Sequence, residues 1–345
     1  MDRSEKNNAG VPIWAMDILA CPHCGEHLSF PNAKIVCNHC STIGMVNNGI
    51  LCFAVTQDDP SISWYTAFGG ANFEERIKIP YTMSSLDTPV YKKYIQELLS
   101  ENNDGFIADI GAGDGRNTEG LLRVGSKHVV ATDAVYESLL RLQRRLSKMN
   151  PELLENLLLI QSDVRAVPLQ AESIDFVLAI EVFYYLNEDY PSALQECRRL
   201  LRKGGQALIS ERSKEGALMT CLLYSGIKQM LETGKTGYVM DGFGNDMLRS
   251  RCFTEQELLE ILQSHGLKPI RCEGISVLSL IIGYLRGEGK IPETDNVYFE
   301  EVTEFLKTYS SIAEHRRTHI VIAENFKEGF GGKSVARYSY RYEKR

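Results

Sequence analysis

The chain has 345 residues, 43% hydrophobic and 24% charged, with 38 Lys and Arg against 45 Asp and Glu for a net charge of −7. This is the composition of a globular protein with room for one large domain and an accessory module. It speaks against a chain that coats nucleic acid, whose footprint is basic, and against a membrane span: the longest apolar stretch, near Val277 to Leu285, falls far short of the ~20 residues required. The polar, charged start Met1 to Gly10 does not read as a secretory leader, so the cytoplasm is the expected location.

The nine cysteines divide into one cluster and five scattered thiols. Cys21-Pro-His-Cys24 and Cys37-Asn-His-Cys40 form two matching knuckles, twelve residues apart. Each knuckle points two thiolates at one place, and two complete a tetrahedron that suits a structural Zn²⁺. A redox pair would need only one such motif. Leu28 to Phe30 and Lys34 to Val36 read as a hairpin turning at Pro31-Asn32. A segment of residues 1–55 is too small for a large core, so the metal would supply much of its folding energy. His23 and His39 read as solvated knuckle residues. Cys52, Cys197, Cys221, Cys252 and Cys272 read as inert thiols, and an odd total does not suggest a disulfide framework.

Residues 56–88 read as a linker and a cover on the substrate side. Gln57 to Ser63 is polar with Pro60, and Trp64 to Ser85 holds aromatics, Gly69-Gly70 and Pro80. Val90 to Leu99 has the spacing of an amphipathic helix leading into an apolar strand, Phe106 to Ile110. Gly111, Gly113 and Gly115 follow at every second position, and Asn117 to Val124 reads as the start of a helix. Strand, glycine loop and helix make the layout of a nucleotide-type cofactor site. The dinucleotide fingerprint would place its third glycine where Arg116 stands. Lys127 to Asp133 reads as a second strand ending in an acid, Leu158 to Val164 as a third carrying Asp163, and Ser173 to Val182 as a fourth carrying Glu181.

With the acid two residues before the first glycine, Asp109-Ile110-Gly111-Ala112-Gly113 resembles the first motif of class I S-adenosylmethionine (SAM) methyltransferases of the type 11 kind. The resemblance covers roughly residues 85 to 325. It implies an α/β fold, a Rossmann-like seven-stranded sheet with helices on both faces, in a domain spanning 89–326. It further implies that Asp109, Gly111, Ala112 and Gly113 lie around the methionine end of SAM. Asp133 would hold the ribose, Asp163 and Val164 the adenine, and Asn117, Ala134 and Glu181 would also touch the cofactor. Tyr184 and Tyr185 stand where family members place substrate-facing residues, against core packing as the plainer reading. Arg212 could pair with an anionic substrate or be a surface residue. No residue declares itself as a catalytic base.

The remaining elements read as follows. Glu137 to Met149 is a helix with a solvated arginine face. Ser192 to Leu201 is a helix stopped by Gly204-Gly205, and Gln206 to Ser210 a fifth strand. An insertion over 213–251 holds one helical piece, Leu218 to Leu231, and a glycine- and aromatic-rich part, Gly234 to Gly244. Thr254 and Glu257 form a capping box opening a helix that ends at His265-Gly266. Ile270 to Ser279 is a sixth strand, 281–308 a second insertion with at least one helix, and His319 to Glu324 the last strand. Residues 327–345 form a basic tail.

The N-terminal segment, Ile13 to Ala54, resembles the small zinc-ribbon family that activates eukaryotic methyltransferases. Together these resemblances imply a SAM-dependent enzyme that methylates an oxygen or nitrogen of a small molecule. The alternative is an RNA (ribosomal guanine-type) or protein methyltransferase that uses its ribbon to grip the macromolecule. Three basic and four acidic residues over Met1 to Phe53 give that grip a poor phosphate footprint. The sequence is silent on oligomeric state.

Overall fold

The computed structural model describes residues 6–55, 59–67, 78–99, 105–126, 128–243, 246–291, 293–310 and 315–326. The chain opens with four short strands: β1 (Leu28–Ser29), β2 (Lys34–Cys37), β3 (Ser41–Asn47) and β4 (Ile50–Phe53). Helices α1 (Pro60–Ala67) and α2 (Met83–Leu99) lead to β5 (Phe106–Ile110), α3 (Thr118–Arg123), β6 (His128–Asp133), α4 (Tyr136–Met149), β7 (Leu157–Gln161), β8 (Ile174–Ile180), α5 (Tyr190–Leu200) and β9 (Leu201–Arg212). Then come α6 (Lys214–Tyr224), α7 (Ile227–Thr236), the hairpin β10 (Tyr238–Phe243) and β11 (Asp246–Arg251), α8 (Glu255–Ser264), β12 (Leu267–Ser276), α9 (Val277–Gly287), α10 (Phe299–Tyr309) and β13 (Arg316–Asn325).

One sheet runs β1-β2-β3-β4-β7-β6-β5-β8-β9-β13-β12. Its last seven strands are the expected Rossmann-like sheet, parallel from β7 to β9, with β13 antiparallel to both β9 and β12. Alternation along the strands sorts their side chains into two cores. Ala108, Val130, Leu158, Val177 and Ile209 face α5 and α8, whereas Ile107, Val129, Leu159, Leu178 and Leu208 face α2, α3 and α4. Period-two burial on both faces is what a helix-covered parallel sheet requires.

The cysteine ribbon is hydrogen-bonded into this sheet. β4 pairs in parallel with β7, Leu51 opposite Ile160 and Cys52 opposite Gln161. Gln170 donates its amide to the Ile18 carbonyl at 2.7 Å, and Trp14 Nε1 donates to the Glu155 carbonyl at 3.2 Å. Val11, Leu19, Ile35 and Phe53 share a core with Ile110, Ile160 and Val167.

Several element boundaries differ from the sequence expectation. The helix before β9 ends at Leu200, and Gly204-Gly205 lie within β9. Gly204 adopts φ +75°, and a Cβ on Gly205 would stand 3.0 Å from the Asp175 carbonyl, so these glycines serve a tight strand approach and not a helix stop. The single helix expected over Leu218 to Leu231 is two, broken at Gly226 with φ +88°. The aromatic and glycine-rich part contributes the first strand of the hairpin β10–β11. α1 begins inside the expected linker. The capping box at Thr254 and Glu257 forms as expected. Gly69-Gly70 and the tail 327–345 lie outside the described residues.

Candidate active site

The glycine loop sits between the carboxyl end of β5 and α3, where ligands of open α/β sheets bind. Gly111, Gly113 and Gly115 all adopt positive φ. A Cβ on Gly111 would stand 2.4 Å from the Val182 side chain, and one on Gly115 would stand 2.2 Å from Leu142. Gly113 differs, because nothing lies within 4 Å of where its Cβ would be. Two glycines therefore serve packing and the third leaves room beside the loop. The Gly113 amide donates to Asp133 Oδ2 at 2.8 Å, and the Val135 amide donates to Oδ1 at 2.8 Å. Burial lifts the Asp133 carboxyl above its ordinary range, against the pull of these two amides.

A cavity of about 230 Å³ opens beside the loop. Among its walls are Gly111, Ala112, Gly113, Asn117, Asp133, Ala134, Asp163, Val164, Glu181, Tyr184 and Tyr185. Residues spread over 75 positions of sequence thus meet at one place. Two of the sequence candidates stand apart. Asp109 is buried behind the loop, where Thr118 Oγ1 donates to it at 2.6 Å, and burial pushes its carboxyl up to about 7. Arg212 packs its guanidinium 4.9 Å from the Tyr184 ring centre and does not line the cavity.

Tyr65, one of the aromatics expected in the cover, lines the cavity, and the structure adds wall residues that the sequence reading passed over: Asp59, Ile62, Arg116, Arg141 and Arg165. Arg165 follows Asp163 by two positions and grips it with two bonds, Nε to Oδ1 at 2.8 Å and Nη2 to Oδ2 at 2.6 Å. It also reaches Asp189 at 2.9 Å and Asp59 at 3.3 Å. Asp59 in turn accepts the Ser61 amide at the head of α1. At the other side of the cavity Tyr65, on α1, stands edge-on to Tyr185 at 5.5 Å, and Tyr185 lies 4.4 Å from Tyr184. An ion pair and an aromatic contact thus pin α1 across the cavity. The Asp-x-Arg spacing at 163–165 was the available local signal; Asp59 and Tyr65 fall in the expected cover 56–88, but nothing local singles them out from their neighbours. Other aromatics expected in the cover lie elsewhere: Tyr81 packs on Phe299, and Tyr224 on Tyr284.

The four cluster cysteines converge, with Cys21 and Cys37 buried. The Sγ atoms of Cys21, Cys24, Cys37 and Cys40 all lie within 4.8 Å of one another, with Cys24 and Cys37 at 3.4 Å. A tetrahedral zinc with ~2.3 Å Zn–S bonds needs sulfur–sulfur edges of ~3.8 Å. The donor set and its spacing fit that ion.

Residues 108–209 match the family model of a methyltransferase domain. The chain is a SAM-dependent methyltransferase. A curated relative of the methyltransferase, an uncharacterized methyltransferase of Schizosaccharomyces pombe, is 23% identical over 186 residues, covering 52% of this chain and 70% of the relative. Among solved structures, a chain of the complex between the Haloferax volcanii Trm112 methyltransferase activator and a methyltransferase superposes with a TM-score of 0.50 at 16% identity. The match covers 77% of this chain and 98% of that one. The 1,6-didemethyltoxoflavin-N1-methyltransferase of Burkholderia thailandensis gives 0.48 at 14% identity, covering 79% and 93%. At these identities the structural likeness concerns the fold.

Proposed function

We propose that the enzyme transfers the SAM methyl group to an oxygen or nitrogen of a small molecule. The observation that carries this reading is the cavity itself: a space of about 230 Å³ bridged by α1 and walled on one side by Tyr65, Tyr184 and Tyr185. A covered pocket with an aromatic wall and a few charged groups suits a compact acceptor. In this reading the room beside Gly113 takes the methionine end of SAM, Asp133 with Ala134 the ribose, and Asp163 with Val164 the adenine. Glu181 also faces the methionine end. SAM brings an electrophilic methyl group when bound, and the protein's share is to align the acceptor and exclude water. Tyr184 and Tyr185 form the acceptor side, and Arg212 backs Tyr184. The four cysteines hold one structural Zn²⁺ in an N-terminal unit of residues 1–55, ahead of the cover 56–88 and the catalytic domain 89–326.

The test is methyl transfer from labelled SAM in an extract, with and without nuclease or protease. Label in the small-molecule fraction, unchanged by either treatment, is the expected result. Label confined to RNA or protein, and lost on the matching digestion, would replace this reading with the macromolecular one.

A further inference from the structure

Glu181 stands at the carboxyl end of β8 with φ +58°, a left-handed backbone that a glutamate adopts only where its surroundings impose it. Its amide donates to the Ser210 carbonyl at 3.1 Å, and its carboxylate is held by a residue from the far end of the chain. Arg317 Nη2 donates to Glu181 Oε1 at 2.9 Å and also to Asp87 Oδ2 on α2. Arg116 approaches the other Glu181 oxygen at 3.8 Å, with its guanidinium 5.1 Å over the Tyr91 ring. Glu181 and Arg116 line the cavity, whereas Asp87 and Arg317 do not.

Arg317 sits at a bulge. In the β12–β13 ladder Ile275 faces Thr318, and the next residue, Ser276, faces Arg316, so Arg317 is an extra residue on β13, without a partner on β12. The neighbouring arginines leave the sheet on opposite faces, as successive strand residues do. Arg316 donates to Glu255 of α8 at 2.7 Å, while Arg317 points to α2. The Arg317 carbonyl is anchored as well, accepting from the Ser213 amide at 3.2 Å and the Ser213 hydroxyl at 3.0 Å. A Cβ on Gly216 would stand 2.4 Å from that same oxygen. Both the backbone and the head group of Arg317 are fixed.

We propose that Arg317, its backbone anchored by Ser213 and its charge neutralised from behind by Asp87, is a positioning residue that locks the Glu181 carboxylate in place to receive the cofactor's ammonium group. The proposal rests on the reading that the cavity binds SAM. Asp87 and Arg317 cancel in charge, so removing both leaves the net charge of the cluster unchanged. Burial raises the Glu181 carboxyl, but Arg317 and then Arg116 outweigh it and hold it below its ordinary range. An acid kept so readily ionised is a poor proton acceptor and a good cation receptor. The other groups facing it are Arg212 and Glu211 of β9 and Asp87 and Tyr91 of α2.

The experiment is calorimetric titration of the full chain with S-adenosylhomocysteine, which keeps the ammonium group, at about pH 7.5 and about pH 5.5. The double variant Asp87→Asn/Arg317→Gln should bind about tenfold more weakly than wild type at the higher pH. The deficit should widen by roughly twofold or more at the lower pH, as an unclamped Glu181 takes up a proton. Arg317→Lys keeps the charge and should recover most of the affinity, and Arg317→Gln stands in if the double variant does not accumulate. A double variant, or failing it Arg317→Gln, that matches wild type at both pH values overturns the proposal. Wild type that fails to bind S-adenosylhomocysteine overturns instead the cofactor reading beneath it.

Discussion

Leu51 of the cysteine ribbon pairs in parallel register with Ile160, two residues before the loop that carries Ser162 and Asp163. The ribbon is therefore an edge extension of the catalytic sheet and shares its core, and an edge strand that is paired cannot template other chains.

From this follows a prediction on metal removal. Freshly purified protein should contain one zinc per chain, and chelation or Cys24→Ser should lower the melting temperature of the whole chain in one transition. Loss of a structural metal belongs to the few changes that cost about 4 kcal/mol or more. A ribbon that melted alone, leaving the main transition in place, would contradict the shared core. So would protein free of zinc with unchanged stability.

The second prediction separates two acids of the glycine-loop region. Asp133 lines the cavity and clamps the Gly113 amide, whereas Asp109 sits behind the loop on Thr118. Asp133→Ala should weaken SAM binding tenfold or more, since a charge-assisted hydrogen bond is worth ~1.5–3 kcal/mol. Asp109→Asn keeps an acceptor for Thr118 and should change the affinity by less than about threefold. Calorimetry on the two variants decides; equal losses would put Asp109 in the site.

The third prediction concerns α1. Arg165 joins Asp163, at the end of β7, to Asp59 at the head of α1. Arg165→Gln should free that end of the helix. The expected readout is amide exchange over residues 60–67 that is faster by about tenfold while β5 to β9 stay protected, since local opening needs far less than global unfolding. Unchanged exchange there would mean that the Tyr65–Tyr185 contact alone holds α1 down.

How much of this was legible in the sequence depends on range. The Rossmann-like sheet and its strand ends were readable because each strand is a local apolar run closed by a polar anchor, and Gly111, Asp133, Asp163 and Glu181 recur at strand intervals. Capping at Thr254 was readable because all its atoms lie within four residues. What escaped depends on contacts across the chain. No local pattern shows that Leu51 meets Ile160, that Tyr65 meets Tyr185, or that Arg317 meets Asp87, 230 residues away. Gly204-Gly205 misled because a glycine pair marks a helix end and a tight strand approach equally well.

The last prediction is a pH dependence of stability set by Glu211. Glu211, on β9, is fully buried, and neither of its carboxyl oxygens has a hydrogen-bond partner at normal length among the described residues. Burial drives its carboxyl well above the ordinary range, outweighing the pull of the nearby Tyr190 hydroxyl and Tyr184 amide. The folded protein then holds a proton on Glu211 to higher pH than the unfolded chain, which gives it up above about pH 4.5. The folded state binds more protons over that window, so this group favours folding fully below the unfolded pKa and progressively less as pH rises toward the folded value. The slope is at most about 1.4 kcal/mol per pH unit. Glu211→Gln keeps the shape without the titration. Urea unfolding at several pH values should give a variant that gains on wild type as pH rises above about 5. A constant difference between the two across that range would show that Glu211 is ionised in the folded protein.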